Sequence, residues 1–371
     1  MGVPVSSADL DPFRTISVMI NASCNLKCLH CDLPRKYSRY DGVLSTGQWG
    51  ELIDHLIPMI RPEVVSIAAM EPMMPKIGQP KTAAVLRSAL RHGVTAGVVS
   101  NGTYVEEFFS SYGADIKLNF LDVSIEGVSE LDDRIRGKGH FEMVNRLLHS
   151  KTVLAHTEKL YLSSTLTKLS AHPDMLSPFL DWVVRSLDEP RLVLLLLYPN
   201  QHVESGLALD DDDLNRILDL IIKRSNEFAD IFLEAFPSSL PGLATLIEER
   251  TFPGEGEVKR DRGGMIWGHI AENLFIRYEN KHDFSLYHLR ISPEGYALPP
   301  ECMESPNYLE GAYGKIIDDG WNTIRQKILS SVDALTLDME YRGCRGRRCR
   351  AVCGGGNHRC YVRNEKQEDV I

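Results

Sequence analysis

Thr15-Ile-Ser-Val-Met-Ile-Asn21 runs directly into Ala22-Ser-Cys24-Asn-Leu-Lys-Cys28-Leu-His-Cys31. The first seven residues are a short β-branched run that ends in a loop, which predicts a strand. Similar runs recur at Val64–Ala68, Thr95–Val99, Leu118–Ile125, Leu160–Leu166 and Arg191–Tyr198. Between them lie segments with helical periodicity. Gln48–Ile60 carries Leu52, Ile53, Leu56 and Ile57, and Thr82–Arg91 carries Ala84, Val85, Leu86 and Leu90. Strand and helix alternate about six times over the first 200 residues, which argues for a parallel sheet or barrel of the α/β class.

The whole chain has 371 residues, enough for two domains or one large domain with an appendage. Hydrophobic residues make up 43% and charged residues 25%, the balance of a globular protein, not of a disordered or collagenous chain. The formal charge of −10 disfavours sequence-independent nucleic-acid binding, which wants a basic surface. No apolar run approaches the roughly 18–20 residues of a membrane helix. The first residues lack a basic stretch followed by an apolar run, so the expected location is the cytoplasm, away from membranes.

In a reducing compartment the eight cysteines point to metal binding or catalysis in place of disulfides. They fall in two groups. Cys24, Cys28 and Cys31 follow the first strand; Cys302, Cys344, Cys349, Cys353 and Cys360 lie near the end. Two metal centres are therefore expected. Three thiolates in one loop can hold three irons of a cubic iron–sulfur cluster and leave the fourth open to a substrate. On spacing alone a zinc site completed by His30 is the competing reading.

Further pieces occur in order at the predicted strand ends: Ala69-Met70-Glu71-Pro72, Ser100-Asn101-Gly102-Thr103, and Ser124-Ile125-Glu126-Gly127 with Asp133 and Arg136 downstream. Together with the CxxxCxxC loop they resemble the radical S-adenosylmethionine (radical SAM) enzymes over residues 15 to about 200. The resemblance implies a partial (β/α)6 TIM-like barrel, with active-site residues at the carboxyl ends of its strands. It also implies a 4Fe–4S cluster on Cys24, Cys28 and Cys31, whose open iron takes the amino and carboxylate groups of SAM. Reductive cleavage of SAM would then give a 5′-deoxyadenosyl radical that removes a hydrogen atom from substrate.

Residue roles follow from the same resemblance. Glu71 would accept from the SAM ammonium, and Ser124 and Arg136 would contact its carboxylate. Glu126 sits where an Asp often lies near the ribose, and His30 would place backbone near the adenine. Ser100 and Asn101 join the cofactor-binding set. One departure stands out. Ala69-Met70 replaces two glycines that let backbone approach SAM, so either the backbone there avoids positive φ or SAM sits differently.

After Tyr198 the pattern changes. Asp210 to Asp213 precede an amphipathic helix from about Leu214 to Asn226, and these acids read as an N-cap and first turn, not a metal site. Residues 253–264 read as a loop or domain junction. Leu286–Ser292, Pro293-Glu-Gly295 and Tyr296–Leu298 read as strand, turn and strand, and a helix is expected near Gly320–Ser331.

A hairpin, Cys302, a helix and then Cys344-x4-Cys349-x3-Cys353-Gly-Gly-Gly-x3-Cys360 resemble the SPASM and twitch extensions of radical SAM enzymes. Those extensions hold auxiliary 4Fe–4S clusters. Five cysteines suit one auxiliary cluster with one to spare; a second would need other ligands or an open iron. A zinc knuckle is the alternative. Arg342-Gly-Cys-Arg-Gly-Arg-Arg-Cys-Arg350 carries five arginines, which read as charge compensation for an anionic cluster, and second as a docking patch for flavodoxin or ferredoxin. The expected division is a radical SAM core over 12–200, a substrate-shaping region over 201–285 and a small cysteine-rich cluster-binding domain over 286–371.

SPASM-type relatives mostly modify peptides, and twitch-type relatives include enzymes acting on small aminocyclitols. The expected reaction is oxidation or C–H modification of a peptide side chain. The alternatives are dehydrogenation or epimerisation of an aminocyclitol, amino-sugar or peptide residue with a spare cysteine as hydrogen donor, and a zinc-binding protein without activity. About fourteen residues precede the first strand, too few for the leader-binding module that peptide maturases often carry there. Tyr296, Glu294 and Glu301 are candidate proton acceptors, with an exposed hairpin turn as the competing reading.

Overall fold

Strand β1 (Thr15–Val18) alternates half-buried and buried residues, and it places Ile16 and Val18 at the centre of the core. The computed structural model describes residues 14–31, 33, 43–197, 205–235, 258–260, 266–271, 273–278, 288–299, 309 and 311–341. Glu301, Cys302, the four terminal cysteines and the Arg342–Arg350 run lie outside the described residues.

The strands expected from the sequence form at β2 (Val64–Ile67), β3 (Thr95–Ser100), β4 (Leu118–Ser124), β5 (Thr157–Leu166) and β6 (Arg191–Leu196). They join β7 (Asp230–Ala235) in one parallel run, each strand beside its predecessor. Helices connect them: α1 (Thr46–Ile60), α2 (Gln79–Arg91), α3 (Val105–Tyr112), α4 (Glu130–Arg136), α5 (His140–Leu147), α6 (Lys151–Ala155), α7 (Pro173–Ser186) and α8 (Asp211–Arg224). This is the partial α/β barrel expected from the alternation of strand and helix. Helix α1 lays an apolar stripe on the core, formed by Leu52, Ile53, Leu56, Ile57 and Ile60. Ser45 and Gln48 close a capping box at its start. Gly97 lets β3 approach β4, because a Cβ there would stand 2.4 Å from the Phe120 carbonyl oxygen.

The acidic run behaves as expected. Asp210 caps α8 in a reciprocal capping box with Asp213, and that backbone hydrogen bond together with Lys168 holds its carboxyl down to about 2.

Beyond β7 the sheet continues through β10 (Leu274–Tyr278), parallel to it, then β9 (Ile266–Ala271) and β8 (Val258–Arg260), both antiparallel to their neighbours. At the other edge β11 (His288–Ile291) pairs with β1 in parallel, with Thr15 opposite His288. β12 (Tyr296–Leu298) and β13 (Gly314–Lys315) extend that edge antiparallel. Helices α9 (Ile316–Asp319) and α10 (Trp321–Tyr341) follow, the second a good deal longer than the sequence pattern suggested.

The predicted hairpin is present as β11–β12, but its turn is not exposed. Ser292 to Gly295 are buried, Gly295 turns the chain at φ 87, and Leu44 ahead of α1 covers it, donating its N–H to the Pro293 carbonyl at 2.8 Å. The reading of Glu294 as part of an exposed turn therefore fails. It is 3% exposed and accepts from the Ser292 hydroxyl at 2.8 Å.

Candidate functional site

Five loops meet at the carboxyl ends of β1 to β5, where parallel sheets place their ligands. Asn21 organises the first two. Its amide donates to the Glu71 carbonyl at 3.0 Å and its side-chain oxygen accepts from Ser23 N–H at 2.8 Å. Glu71 N–H returns a bond to the Ser23 carbonyl at 3.2 Å. The loop after β1 is thereby tied to the loop after β2.

The cysteine loop carries three half-buried thiols, none of them in a disulfide. N–H donors face two of the sulfurs. Leu26 N–H lies 3.5 Å and Asn101 Nδ2 3.8 Å from Cys24 Sγ, and Arg136 Nη1 lies 4.0 Å from Cys28 Sγ. Leu29 N–H donates to the Ile135 carbonyl at 3.0 Å, docking the loop on the last turn of α4. Burial pushes the Cys28 thiol up to about 12, against the pull of Arg136, and also raises Cys24. Such thiols ionise when a strong cation replaces their protons.

After β2 the chain keeps positive φ without glycine: Ala69 at 70° and Met70 at 55°. This settles the alternative left by the sequence, since the backbone does not avoid the left-handed region. An L-residue there stores about 1–2 kcal/mol. The side chains find an apolar use, packing with Ala22, Leu33 and Tyr296 around Met19 and Leu298. Ala69→Gly is expected to stabilise the protein by about 0.5–1 kcal/mol in urea melts, strain relief exceeding the entropy of an unfolded glycine. Unchanged or lower stability would mean that packing of the methyl outweighs the strain.

Glu71 is completely buried. One carboxylate oxygen accepts from Met73 N–H at 2.9 Å and the other from Asn101 N–H at 2.8 Å, and the Ser100 hydroxyl lies 2.9 and 3.1 Å from the two. Burial raises its pKa while these donors pull it back. Asn101 also donates to Asn25 at 2.8 Å, linking the β3 loop to the cysteine loop.

Glu126, at the end of β4, accepts from Arg136 Nε at 3.0 Å and Nη2 at 2.5 Å on one oxygen. Thr165 N–H at 2.7 Å and the Ser164 hydroxyl at 3.2 Å reach the other. Burial works against the charge on Arg136, yet Glu126, Cys28 and Asp132 together hold its pKa above the ordinary guanidinium value. His30 sits with Nε2 3.7 Å from Glu126. Burial lowers its pKa against the pull of Glu126, and its Nδ1 has no hydrogen-bond partner among the described residues. Ser124 ends β4 half-buried, opposite Ser163.

The structure thus gathers His30, Glu71, Ser100, Asn101, Glu126 and Arg136 around the cysteine loop. Tyr296 is placed apart from this polar network, in the apolar cluster behind Ala69 and Met70. Sequence reasoning missed Asn21, Asp132 and His140. Asp132 accepts from Glu126 N–H at 2.8 Å and meets His140 Nδ1 at 2.6 Å, while His140 Nε2 lies 2.9 Å from the Asn101 carbonyl. The pair braces the β3 and β4 loops. The neighbouring Asp133 instead caps the start of α5 through Gly139 and Phe141 N–H.

Residues 18–150 match the family model described as the radical SAM superfamily. The segment that carries the cysteine loop and the loops after β2 to β4 is a radical SAM superfamily match. Every loop just described falls within or beside the matched segment. Among curated relatives, the Fe-coproporphyrin III synthase of Methanosarcina barkeri is 27% identical over 223 residues, 58% of this chain and 52% of that protein. The mycofactocin maturase MftC of Mycobacterium tuberculosis is 31% identical over 129 residues, 34% of this chain and 32% of that protein. The matches thus span about half and about a third of those relatives. Among solved structures, anSMEcpe with bound AdoMet and the Kp18Cys peptide superposes with TM-score 0.61 at 15% identity, covering 92% of this chain and 88% of that one. SuiB of Streptococcus suis bound to S-adenosylmethionine gives 0.52 at 15% identity, covering 79% and 61%. At these identities the superpositions speak for the fold.

Proposed function

We propose that this chain is a radical SAM enzyme holding a 4Fe–4S cluster on Cys24, Cys28 and Cys31. The observation that carries the reading is the set of N–H groups aimed at Cys24 and Cys28 from Leu26, Asn101 and Arg136. Amide and guanidinium donors of this kind are what thiolate-bound clusters use. Among the described residues no three His, Cys, Asp or Glu side chains gather as a single metal ion requires. The cluster with SAM supplies a 5′-deoxyadenosyl radical for hydrogen-atom abstraction.

The chain's own residues bind, orient and exclude water. The left-handed turn at Ala69-Met70 exposes backbone toward the SAM amine, and Glu71 rigidifies that turn against Ser100 and Asn101. Ser124 faces the SAM carboxylate. The unpartnered, buried Nδ1 of His30 would face the nucleoside. Burying such an atom unpaired is costly, so a bound ligand stabilises it.

The cysteines at 302, 344, 349, 353 and 360 are read as ligands of one auxiliary cluster in a domain over 286–371, following a core over 12–200 and a substrate-shaping region over 201–285. These residues would hold a cluster able to take the electron left on the substrate radical after hydrogen-atom abstraction, and flavodoxin or ferredoxin would reduce the cluster on Cys24, Cys28 and Cys31. Supporting the peptide reading, the relatives include a mycofactocin maturase and the fold matches anSMEcpe bound to peptide. A tetrapyrrole substrate is the second reading, because relatives include an Fe-coproporphyrin III synthase and an AdoMet-dependent heme synthase of Oleidesulfovibrio alaskensis.

The test is iron, sulfide and zinc content after anaerobic purification, followed by SAM, dithionite and an assay for 5′-deoxyadenosine. Roughly eight irons per chain with deoxyadenosine formed is the expected result. Zinc without SAM cleavage would overturn the enzyme reading. Stimulation of turnover by an iron tetrapyrrole carrying carboxylate side chains, but not by peptides from the genomic neighbourhood, would select the second substrate class.

A further inference from the structure

Arg136 and Glu126 form a buried ion pair directly behind Cys28. Arg136 is 8% exposed and Glu126 1%. The Nε–Nη2 edge, through which a guanidinium grips carboxylates most strongly, is spent on Glu126 Oε1. Nη1 is directed at Cys28 Sγ, 4.0 Å away. Independent contacts hold this geometry. The Leu29–Ile135 backbone bond fixes the cysteine loop to α4 beside Arg136. Glu126 is itself fixed by Thr165 N–H and the Ser164 hydroxyl, and its own N–H by Asp132.

The geometry points to Arg136 and Glu126 as an opposed charge pair that sets the reduction potential of the cluster on Cys28. This rests on the cluster reading above. A fixed cation beside a cluster thiolate stabilises the reduced, more negative state and raises the potential; a fixed anion lowers it. Burial makes both effects large and poorly screened. Each partner therefore cancels part of the other's field, and their spacing from the sulfur fixes the residue. Arg136 directs Nη1 at the sulfur while Glu126 holds the other edge of the guanidinium, so the net field favours reduction. Glu126 then acts as a positioning residue: it aims the guanidinium and moderates it.

The prediction is a pair of shifts with opposite signs. Full-length protein is reconstituted with iron and sulfide, and the signal perturbed by SAM is followed by redox titration with electron paramagnetic resonance. Arg136→Gln is expected to move the midpoint to a more negative value. Glu126→Gln is expected to move it to a less negative value, and the double variant to fall between them. Arg136→Lys, which keeps the charge, is expected to stay close to the original midpoint. Shifts of the same sign in both single variants are what a structural disturbance produces and would overturn the inference, as would two unshifted midpoints. If Arg136→Gln fails to hold a cluster, Glu126→Gln decides alone, a rise supporting the inference and no rise overturning it. Absence of iron on the unaltered cysteine loop would sink the cluster reading itself, a separate outcome visible before any titration.

Discussion

Replacing Cys24, Cys28 and Cys31 together by alanine is expected to abolish 5′-deoxyadenosine formation while about four irons per chain remain. The loop lies at the carboxyl end of β1, and no cysteine falls between residues 31 and 302 to take over. On the cluster reading proposed above, this loop is the one place in the described part of the chain where SAM would be cleaved. The three thiols are half-buried and stand beside the core, not within it, so their loss removes little packing. Loop anchoring survives through bonds the cysteine side chains do not make: Asn21 to Ser23 and Glu71, Leu29 to Ile135, and Asn101 to Asn25. The variant should fold, which circular dichroism and urea melts can confirm. Retained iron would then belong to Cys302 and the terminal cysteines. Loss of all iron from a folded variant would mean a single centre, and the auxiliary domain would have to be given up.

What was legible in the sequence was local or repeated. The β-branched runs gave the parallel strands because alternation with helical segments leaves few other arrangements. Asp210 read correctly as a helix cap because capping depends on residues three apart. The site was legible as a set because its pieces sit at successive strand ends, so the fold brings them together automatically. What stayed hidden depends on distant pairing. Nothing near Thr15 announces His288 as its neighbour, and that pairing is what buries Ser292 to Gly295. The true partners of Glu126 were equally hidden, since Ser164 and Thr165 lie on β5 and carry no pattern of their own. Ala69-Met70 is the instructive case. The missing glycines left two outcomes open, a backbone without positive φ or a shifted SAM, and the flanking bonds of Asn21 and Glu71 hold the backbone in the left-handed region regardless. Local preference there amounts to about 1–2 kcal/mol per residue and is outweighed by the surrounding network.

That network predicts the largest effect on stability. Glu71→Ala removes the only acceptor shown for Met73 N–H and Asn101 N–H, and a partner of the Ser100 hydroxyl, in a fully buried setting. Each stranded donor costs about 1–3 kcal/mol, so a total of about 3 kcal/mol or more is expected in urea melts. Glu71→Gln keeps the volume but turns an amide N–H toward a backbone N–H, and about 1–3 kcal/mol is expected for that single conflict. The charge adds a pH signature. Burial, opposed by the N–H groups of Asn101 and Met73, raises the folded-state pKa of Glu71 above its unfolded value. The native state then binds the proton more tightly, so the stability this group contributes is complete below the unfolded pKa and is lost as pH rises through the folded pKa. The unaltered protein should accordingly lose stability over that interval, and Glu71→Gln, which cannot titrate, should lack this component of the slope. A difference between the two proteins that does not vary with pH would mean that the hydrogen bonds hold Glu71 ionised at its ordinary value, with the donors around it strong enough to cancel the cost of burying a carboxylate.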